Sequence, residues 1–462
     1  GDAIYADINE GFDWSTLTTI RSPATPQRLN DYYKIQKRDA SYRSFLEKTN
    51  PTVTGTIDDH DMGINNGDET FQYKRESGVE FLDFLREDRN SVMYRRAKNG
   101  DGVYGVKVFD FDRPEGQYLL SDDDAGIEPD VVGFIEKQKT FKDKRVAIFL
   151  LDARTNRSPW GKGFASWRRN YDGDFLGEKQ WKWLEKALQH SDASVNIIVN
   201  GMQVHPFRHP SANLAENWAQ FPSSRQRLYD AILRENVRSP VLLSGDVHMA
   251  QLMRKNCLVR NKRGAPLIRP LVEFTSSGMT HSWGSLFAST KKYHDSYKYY
   301  PMHVLSKTVM TLIHWILPMP DLMITDEPFE GAKLGKQFSL EKNFGEVEIN
   351  WQERTVTLRA FGHVEKAPPL LSTRFSMGEL SGIESTPSDA DAIKMIKDYF
   401  FVDGDIIEGD HSICVNVQGP ASVTQFFFAV IGVSAWLLLP QLLLLFYISK
   451  RLCRRWEHIH RK

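Results

Sequence analysis

The chain has 462 residues, 26% of them charged and 41% hydrophobic, a balance that excludes a disordered or collagen-like polymer. Its 59 basic and 59 acidic residues cancel, so no global field draws it to nucleic acid. Three cysteines, Cys257, Cys414 and Cys453, are too few for a disulfide scaffold or a thiolate zinc cluster; at most Cys257 and Cys414 form one bridge.

The first informative stretch is Gly1-Asp-Ala-Ile-Tyr5. Tyr5 comes three residues after Asp2, one helical turn along, so both side chains can face one point. A phenolate is a good ligand for a hard ferric ion, and the plain alternative is a capped turn with a packed tyrosine. The chain opens without a Met or a signal peptide, and the expectation is that it starts inside a domain. Residues 22–50 carry Pro, Arg and Tyr in a helical rhythm. Asp58-Asp-His-Asp61 follows, with Asn65 and Asn66 close behind. Acids this crowded repel one another unless a cation or an arginine compensates; the alternative is a solvated acidic loop. Residues 75–100 read as a helix with a basic surface.

Lys144–Asp152 is a buried-strand signal, with Arg154 and Arg157 directly after it. These arginines can fork onto a phosphate, or Asp152 and Arg154 can close a loop. Asn156-Arg-Ser158 is a glycosylation sequon by letter. Gly177–Leu188 is an amphipathic helix. Ala193–Gly201 is a strand, with Gln203 and His205 beyond it. Ser223–Arg234 is a helix. Val241–Ser244 is a short buried strand ended by Gly245, and Asp246 and His248 follow. Extended alternation would turn both side chains to one face, placed to hold a metal or a phosphate; the alternative is a turn Asp and a surface His. Leu271–Gly278 is a further strand ending in small polar residues, with His281 and Trp283 beyond. Strands alternate with helices, and polar clusters recur at the strands' carboxyl ends, which predicts a layered α/β domain with its site along one edge.

Residues 302–317 are apolar but broken by Lys307 and His314, a core helix or a membrane-surface helix. Gly345–Trp351 and Thr355–Ala360 alternate as a hairpin. Residues 376–411, rich in Ser, Gly and acids, read as part of a juxtamembrane linker. Phe426–Ile448 holds 23 residues without a charge, long enough for one transmembrane helix. Lys450, Arg451, Arg454 and Arg455 follow, so the tail is expected to be cytosolic and the large domain lumenal or extracellular. Cys453 is a palmitoylation candidate or a plain reduced thiol. The expected division is a domain over 1–363, a linker over 364–423, a transmembrane helix over 424–449 and a basic cytosolic tail over 450–462.

Taken in order, Gly1-Asp-Ala-Ile-Tyr5, Asp58-Asp-His-Asp61 with Asn65, Leu151-Asp-Ala-Arg-Thr-Asn-Arg157, Ser224-Arg-Gln-Arg-Leu228 and Gly245-Asp-Val-His248 resemble the motifs of PhoD-like metallophosphatases. This is the alkaline phosphatase D family of the calcineurin-like metallophosphoesterases. The resemblance runs from residue 1 to about residue 360. It implies an α/β fold, a two-sheet sandwich flanked by helices. It implies a dinuclear site of Fe3+ with Ca2+ or another divalent metal. Asp2 would bridge the metals, Tyr5 and His248 would bind the ferric ion, and Asp246 and Asn65 would bind the second, with Asn66 able to replace Asn65. His60 would steady the leaving oxygen, and Arg154 and Arg157 would lie near the phosphate. His205 sits where the related purple acid phosphatases supply a histidine ligand. The family also takes a first ligand, usually a Cys, from the strand before the Gly-Asp motif, and this chain starts after it. The expected activity is hydrolysis of a phosphoester, lipid-linked substrates included, by a membrane-anchored enzyme with no nucleic-acid partner. The alternative is a catalytically silent ectodomain that binds a phosphorylated or lipid ligand.

Overall fold

A computed structural model of the chain describes residues 2–13, 18–112, 118–120, 142–161, 170–206, 216–234, 237–260, 266–279, 282, 338–382 and 412–416, with scattered helical positions between 431 and 451. Its strands are β1 (Ile8–Asp13), β2 (Thr18–Ser22), β3 (Gly105–Asp110), β4 (Tyr118–Leu120), β5 (Lys142–Leu151), β6 (Ala193–Asn200), β7 (Pro240–Ser244), β8 (Ala250–Arg260), β9 (Pro266–Ser276), β10 (Phe338–Ser339), β11 (Phe344–Asn350), β12 (Thr355–Phe361), β13 (Leu371–Ser376) and β14 (Ser412–Asn416). The helices used below are α1 (Pro26–Arg38), α2 (Ala40–Thr49), α3 (Asp59–Met62), α4 (Lys74–Leu85), α5 (Val92–Asn99), α6 (Gly177–His190) and α7 (Pro222–Ile232).

The main sheet runs β10-β8-β9-β7-β6-β5-β3-β4, with β14 added on β8. Its centre, β5-β6-β7-β9, is parallel. The middles of these strands, Val146–Leu151, Ile197–Val199, Val241–Leu243 and Leu271–Val272, are apolar because both faces are covered there. Successive residues face opposite ways. Ala147, Phe149 and Leu151 pack with Trp181, Trp183 and Leu184 of α6 and Leu228 of α7. Val146, with Val195, Ile197 and Val241, packs against Val356 and Leu358 of β12 and Phe375 of β13. The second sheet, β11-β12-β13, therefore lies face to face with the first. The expected two-sheet arrangement with flanking helices is what the described residues form. A third cluster, built on Tyr33 of α1 and Phe81 and Phe84 of α4, packs on Ile4 and Leu150.

Several sequence expectations need correction. The single helix expected over 75–100 is two, because Arg86 takes a left-handed conformation (φ 62°) that ends α4, and Ser91 caps α5 by accepting from the Tyr94 N–H. The 364–423 stretch is not all linker. β13 pairs residue for residue with β12, and β14 pairs with β8 from Ser412↔Val259 to Asn416↔Lys255. Cys257 and Cys414 lie opposite each other in that register and form the disulfide. A strand this far along the chain (157 residues between the cysteines) is thereby locked to the core. Residues 302–317, His281 and Trp283 lie outside the described residues, as does most of Phe426–Ile448. Among the described residues no helix is long and apolar enough to cross a membrane.

Candidate active site

The polar residues gather where β5, β6 and β7 end. Gly201 follows β6 and Gly245 follows β7, and the Gly245 N–H donates to the Gly201 carbonyl at 2.9 Å. Gly201 has to be glycine: a Cβ there would come within 2.8 Å of the Asp58 carboxylate. That close approach lets α3 and its Asp58 N-cap sit directly over the strand ends. All four residues Asp58, Asp59, His60 and Asp61 are buried. The solvated-loop alternative is excluded, because water cannot screen these acids; protein groups must.

Residues 2–7 are irregular rather than helical, yet Tyr5 still meets Asp2, through a side-chain hydrogen bond. The Tyr5 ring packs 4.3 Å from the His60 ring and 6.4 Å from the His248 ring. Asp2 Oδ1 accepts the His60 N–H at 3.1 Å, and its buried Oδ2 has no hydrogen-bond partner. His60 Nδ1 lies 2.8 Å from Asp7 Oδ1. Asp7 also takes the Arg21 guanidinium at 3.0 Å and the Asn65 N–H at 3.2 Å. Asn65 thus enters through its backbone. Asn66, left-handed at φ 58°, donates its N–H to Asp59 at 2.7 Å.

Asp246 and His248 are not on an extended segment. Both are left-handed, φ 66° and 54°, and the Val247 N–H reaches back to the Gly245 carbonyl at 2.8 Å in a tight three-residue turn. Non-glycine residues in this region cost about 1–3 kcal/mol each and cluster at functional sites. The turn, not strand alternation, brings Asp246 to Asp58 and Asp59 and His248 to Tyr5.

The two arginines also depart from expectation. Arg154 is wholly buried. It bonds Asp58 Oδ1 through Nε (2.8 Å) and Nη2 (2.7 Å) and pairs with Glu216 through Nη1; its Nη2 lies 3.7 Å from Asp59 and 3.5 Å from Asp246. Arg157, equally buried, donates to the carbonyls of Asn66, Gly67 (3.0 Å) and Ser158 (2.9 Å) and stacks 4.0 Å over Trp160. Both are enclosed rather than presented to a phosphate; Arg154 Nε, Nη1 and Nη2 are engaged inside the protein, while Arg157 Nε is buried without a hydrogen-bond partner. Asp152 accepts the backbone N–H groups of Val103, Arg154 and Thr155 (2.7, 2.9 and 2.9 Å), which is the loop-closing alternative. Asn156 spends its amide on the Asp101 carbonyl at 2.8 Å. His205 is no ligand of the site: it is buried, with Nε2 2.9 Å from the Leu271 carbonyl and Nδ1 3.2 Å from the Tyr229 hydroxyl. Burial holds its pKa well below the usual value.

Excess negative charge shapes the titration of the cluster. Burial, then Asp59 and Asp58, hold the Asp2 carboxyl well above the usual range, and burial with Asp58 does the same to Asp246. Burial and Asp2 raise the Tyr5 phenol. Asp59 goes the other way: burial opposes its charge, but Arg154 and His60 overcome that and hold it low. Burial would lower His60, yet Asp59, Asp7 and Asp2 push it up to about 10. In Arg154, burial opposes the charge and Glu216, Asp59, Asp58 and Asp246 override it. Asp7 and Glu216 escaped the sequence reading. Asp7 had been visible only as one more acid after Tyr5, and Glu216 stands alone in a loop with no motif around it.

Among the described residues, two groups of side chains could each hold a metal ion: Asp2, Asp59 and His60, and Asp58, Asp59 and Asp246, with one ligand atom per residue inside 4.8 Å of the others. The first fits a resident cation. Its donors are carboxylate oxygens and an imidazole, with a phenol beside them. One carboxylate oxygen is buried without a hydrogen bond. Its histidine is oriented by a carboxylate on the other nitrogen, the usual support of a metal-binding imidazole.

A family model described as PhoD-like phosphatase matches residues 144–307, which takes in Arg154, Arg157, Asp246 and His248. The PhoD-like resemblance read from the motifs is shown over that segment, which holds three of the five motifs; Gly1–Tyr5 and Asp58–Asp61 lie outside it. A solved structure titled "Structure of PhoD" is 14% identical with a TM-score of 0.45, covering 83% of this chain and 65% of that one. The chain thus spans a little under two thirds of that structure's length. No curated protein matches.

Proposed function

We propose, with the PhoD-like phosphatase segment as the premise, that this chain hydrolyses phosphoesters with the help of a metal ion held by Asp2, Asp59 and His60. The observation that carries the reading is the Asp2–Asp59–His60 group with its unpartnered Asp2 Oδ2, set at the carboxyl ends of a parallel sheet, where open α/β folds bind ligands. A cation there would supply Lewis acidity toward a phosphoryl oxygen. The chain's own groups supply the rest. Asp7 fixes the His60 ring, leaving Nε2 for the site. Tyr5 packs over that ring and screens it from water. His248, half-buried on the left-handed turn and 6.4 Å from the Tyr5 ring, would supply the proton to the leaving oxygen in this reading, where the family resemblance had His60 steady that oxygen. The identity of the ion, Fe3+ or Ca2+, and Asn65 as a ligand are finer proposals that rest on the family resemblance, which itself implies a metal pair.

Asp2→Asn tests the reading. Metal content and hydrolysis of an aryl phosphate and an aryl phosphodiester should fall together, on the order of 10²–10³-fold in rate. Unchanged hydrolysis overturns it.

The anchoring is also proposed. The uncharged Phe426–Ile448 stretch followed by Lys450, Arg451, Arg454 and Arg455 supports one membrane span with a cytosolic tail. The Cys257–Cys414 disulfide supports a lumenal or extracellular position for the large domain, since such bonds persist in oxidising compartments. Protease protection of epitopes placed at residues 112 and 462 in sealed vesicles checks it; equal protection of both sites would refute it.

A further inference from the structure

We infer that the site is built for one metal ion, and that the Arg154 guanidinium is the resident cation of the second acidic pocket. The inference rests on the metal-dependent reading above and goes beyond it by setting the number of ions. The second pocket is defined by Asp58, Asp59 and Asp246. Arg154 Nη2 is 2.7, 3.7 and 3.5 Å from a carboxylate oxygen of each. One nitrogen thus reaches all three groups that a second ion would need. A divalent ion bound to the same oxygens would meet a fixed positive charge at contact distance.

Arg154 can relieve that conflict neither by losing its proton nor by leaving. A guanidinium does not deprotonate in proteins. The side chain has no exposure, its Nη1 is paired with buried Glu216, and its backbone N–H is bonded to Asp152 at 2.9 Å. The first pocket is arranged differently. No arginine reaches Asp2 or His60 among the described contacts. Each pocket keeps one buried carboxylate oxygen without a hydrogen bond, Asp2 Oδ2 here and Asp58 Oδ2 there, so the difference lies in the cation: Arg154 sits against Asp58 Oδ1 in the second pocket, while in the first Asp7 holds only the outer nitrogen of the imidazole. Asp59 belongs to both pockets: its Oδ2 takes the Asn66 N–H and its Oδ1 takes the His60 N–H while lying 3.7 Å from Arg154. It therefore couples the ion on one side to the arginine on the other. Arg154 is a positioning residue here. It neutralises three carboxylates and holds Asp58 and Asp246 in place without touching the substrate.

The test is a metal count on the full chain, purified with its own metal and then equilibrated with Mn2+ or Ca2+, by elemental analysis and calorimetric titration. One ion per chain is expected for the natural protein. Arg154→Gln should bind two, and its thermal midpoint should keep rising through the second equivalent of Mn2+ or Ca2+, because an ion then replaces the missing cation. Two ions in the natural protein, or one in Arg154→Gln, overturn the inference. No ion at all overturns the hydrolase reading together with it. If Arg154→Gln does not fold even with the ions, Asp246→Asn decides the matter. Mn2+ affinity within twofold of the natural protein supports the one-ion site, and a tenfold loss overturns it.

Discussion

The two acidic pockets share Asp59 and face each other across it, yet they are neutralised by different means. Both keep one buried carboxylate oxygen without a hydrogen bond, Asp2 Oδ2 and Asp58 Oδ2, but among the described contacts no arginine reaches Asp2 or His60 in the first. In the other, Asp58 and Asp246 close on a guanidinium. Taking a carboxylate out of water costs several kcal/mol, which a partner charge, hydrogen-bond donors or a proton must offset. A pocket whose partner is covalently part of the chain is complete when the protein folds. A pocket without one stays protonated or takes up an ion, and so is the one open to chemistry. The contrast teaches which half of a crowded acidic motif to regard as scaffold.

The largest effect is expected from the residue both pockets use. Asp59→Asn should lower kcat/KM on the order of 10³-fold, as loss of a preorganised charge partner does, and should also lower stability by leaving Arg154 undercompensated. Steady-state kinetics and thermal denaturation read the two effects; activity lost with unchanged stability would break the coupling drawn through Asp59. Next comes Asp7→Asn. It touches only the first pocket, through His60 Nδ1, and removal of such an outer partner weakens metal affinity about 10–100-fold. Calorimetry with Mn2+ measures it, and an unchanged affinity would mean that His60 is not a ligand. The smallest effect on either pocket is expected from Cys414→Ser. Loss of the bridge between β8 and β14 should cost about 2–5 kcal/mol of stability while metal affinity stays within about twofold of the natural protein, since a site lying away from the bridge should show an independent, additive response. A matching loss of metal would show that β14 supports the site.

Much of the scaffold could be read directly from residue order. Val146–Leu151, Ile197–Val199 and Val241–Leu243 are apolar because they are covered on both faces, and the 3.6-residue rhythm of Gly177–Leu188 matches the face that Trp181, Leu184 and Leu188 bury. The hairpin expected from Gly345–Trp351 and Thr355–Ala360 is the antiparallel pair β11 and β12. Strands β13 and β14 were missed because their neighbours are polar. Leu371–Ser376 carries Ser, Thr and Arg between its apolar residues, and β14 is five residues in a stretch rich in acids. Their strand character comes from an edge offered by β12 and β8, a contact that no local pattern encodes.

The site divides along the same line. Asp2, Tyr5, His60, Asp246 and His248 were legible because a dense run of acids and two Gly-Asp turns are unusual wherever they occur. Their assembly was not. A left-handed turn at Asp246 and His248 replaced the extended geometry that alternation suggests, and the choice was made by the Gly245–Gly201 contact between adjacent loops. The arginines show the limit most sharply. After a buried strand, Arg154 and Arg157 look equally able to meet a phosphate, and nothing in Asp-Ala-Arg-Thr-Asn-Arg says which way either side chain turns. Glu216, Asp58 and Asp246 draw Arg154 inward, and the carbonyls of Asn66 and Gly67 draw Arg157. By itself, then, the sequence determined the layers of the fold, the motifs and the kinds of chemistry available. Tertiary structure alone decided which carboxylates share a cation and which cation they have, because electrostatic pairing depends on distances of a few ångströms between residues that lie up to about two hundred positions apart in the chain.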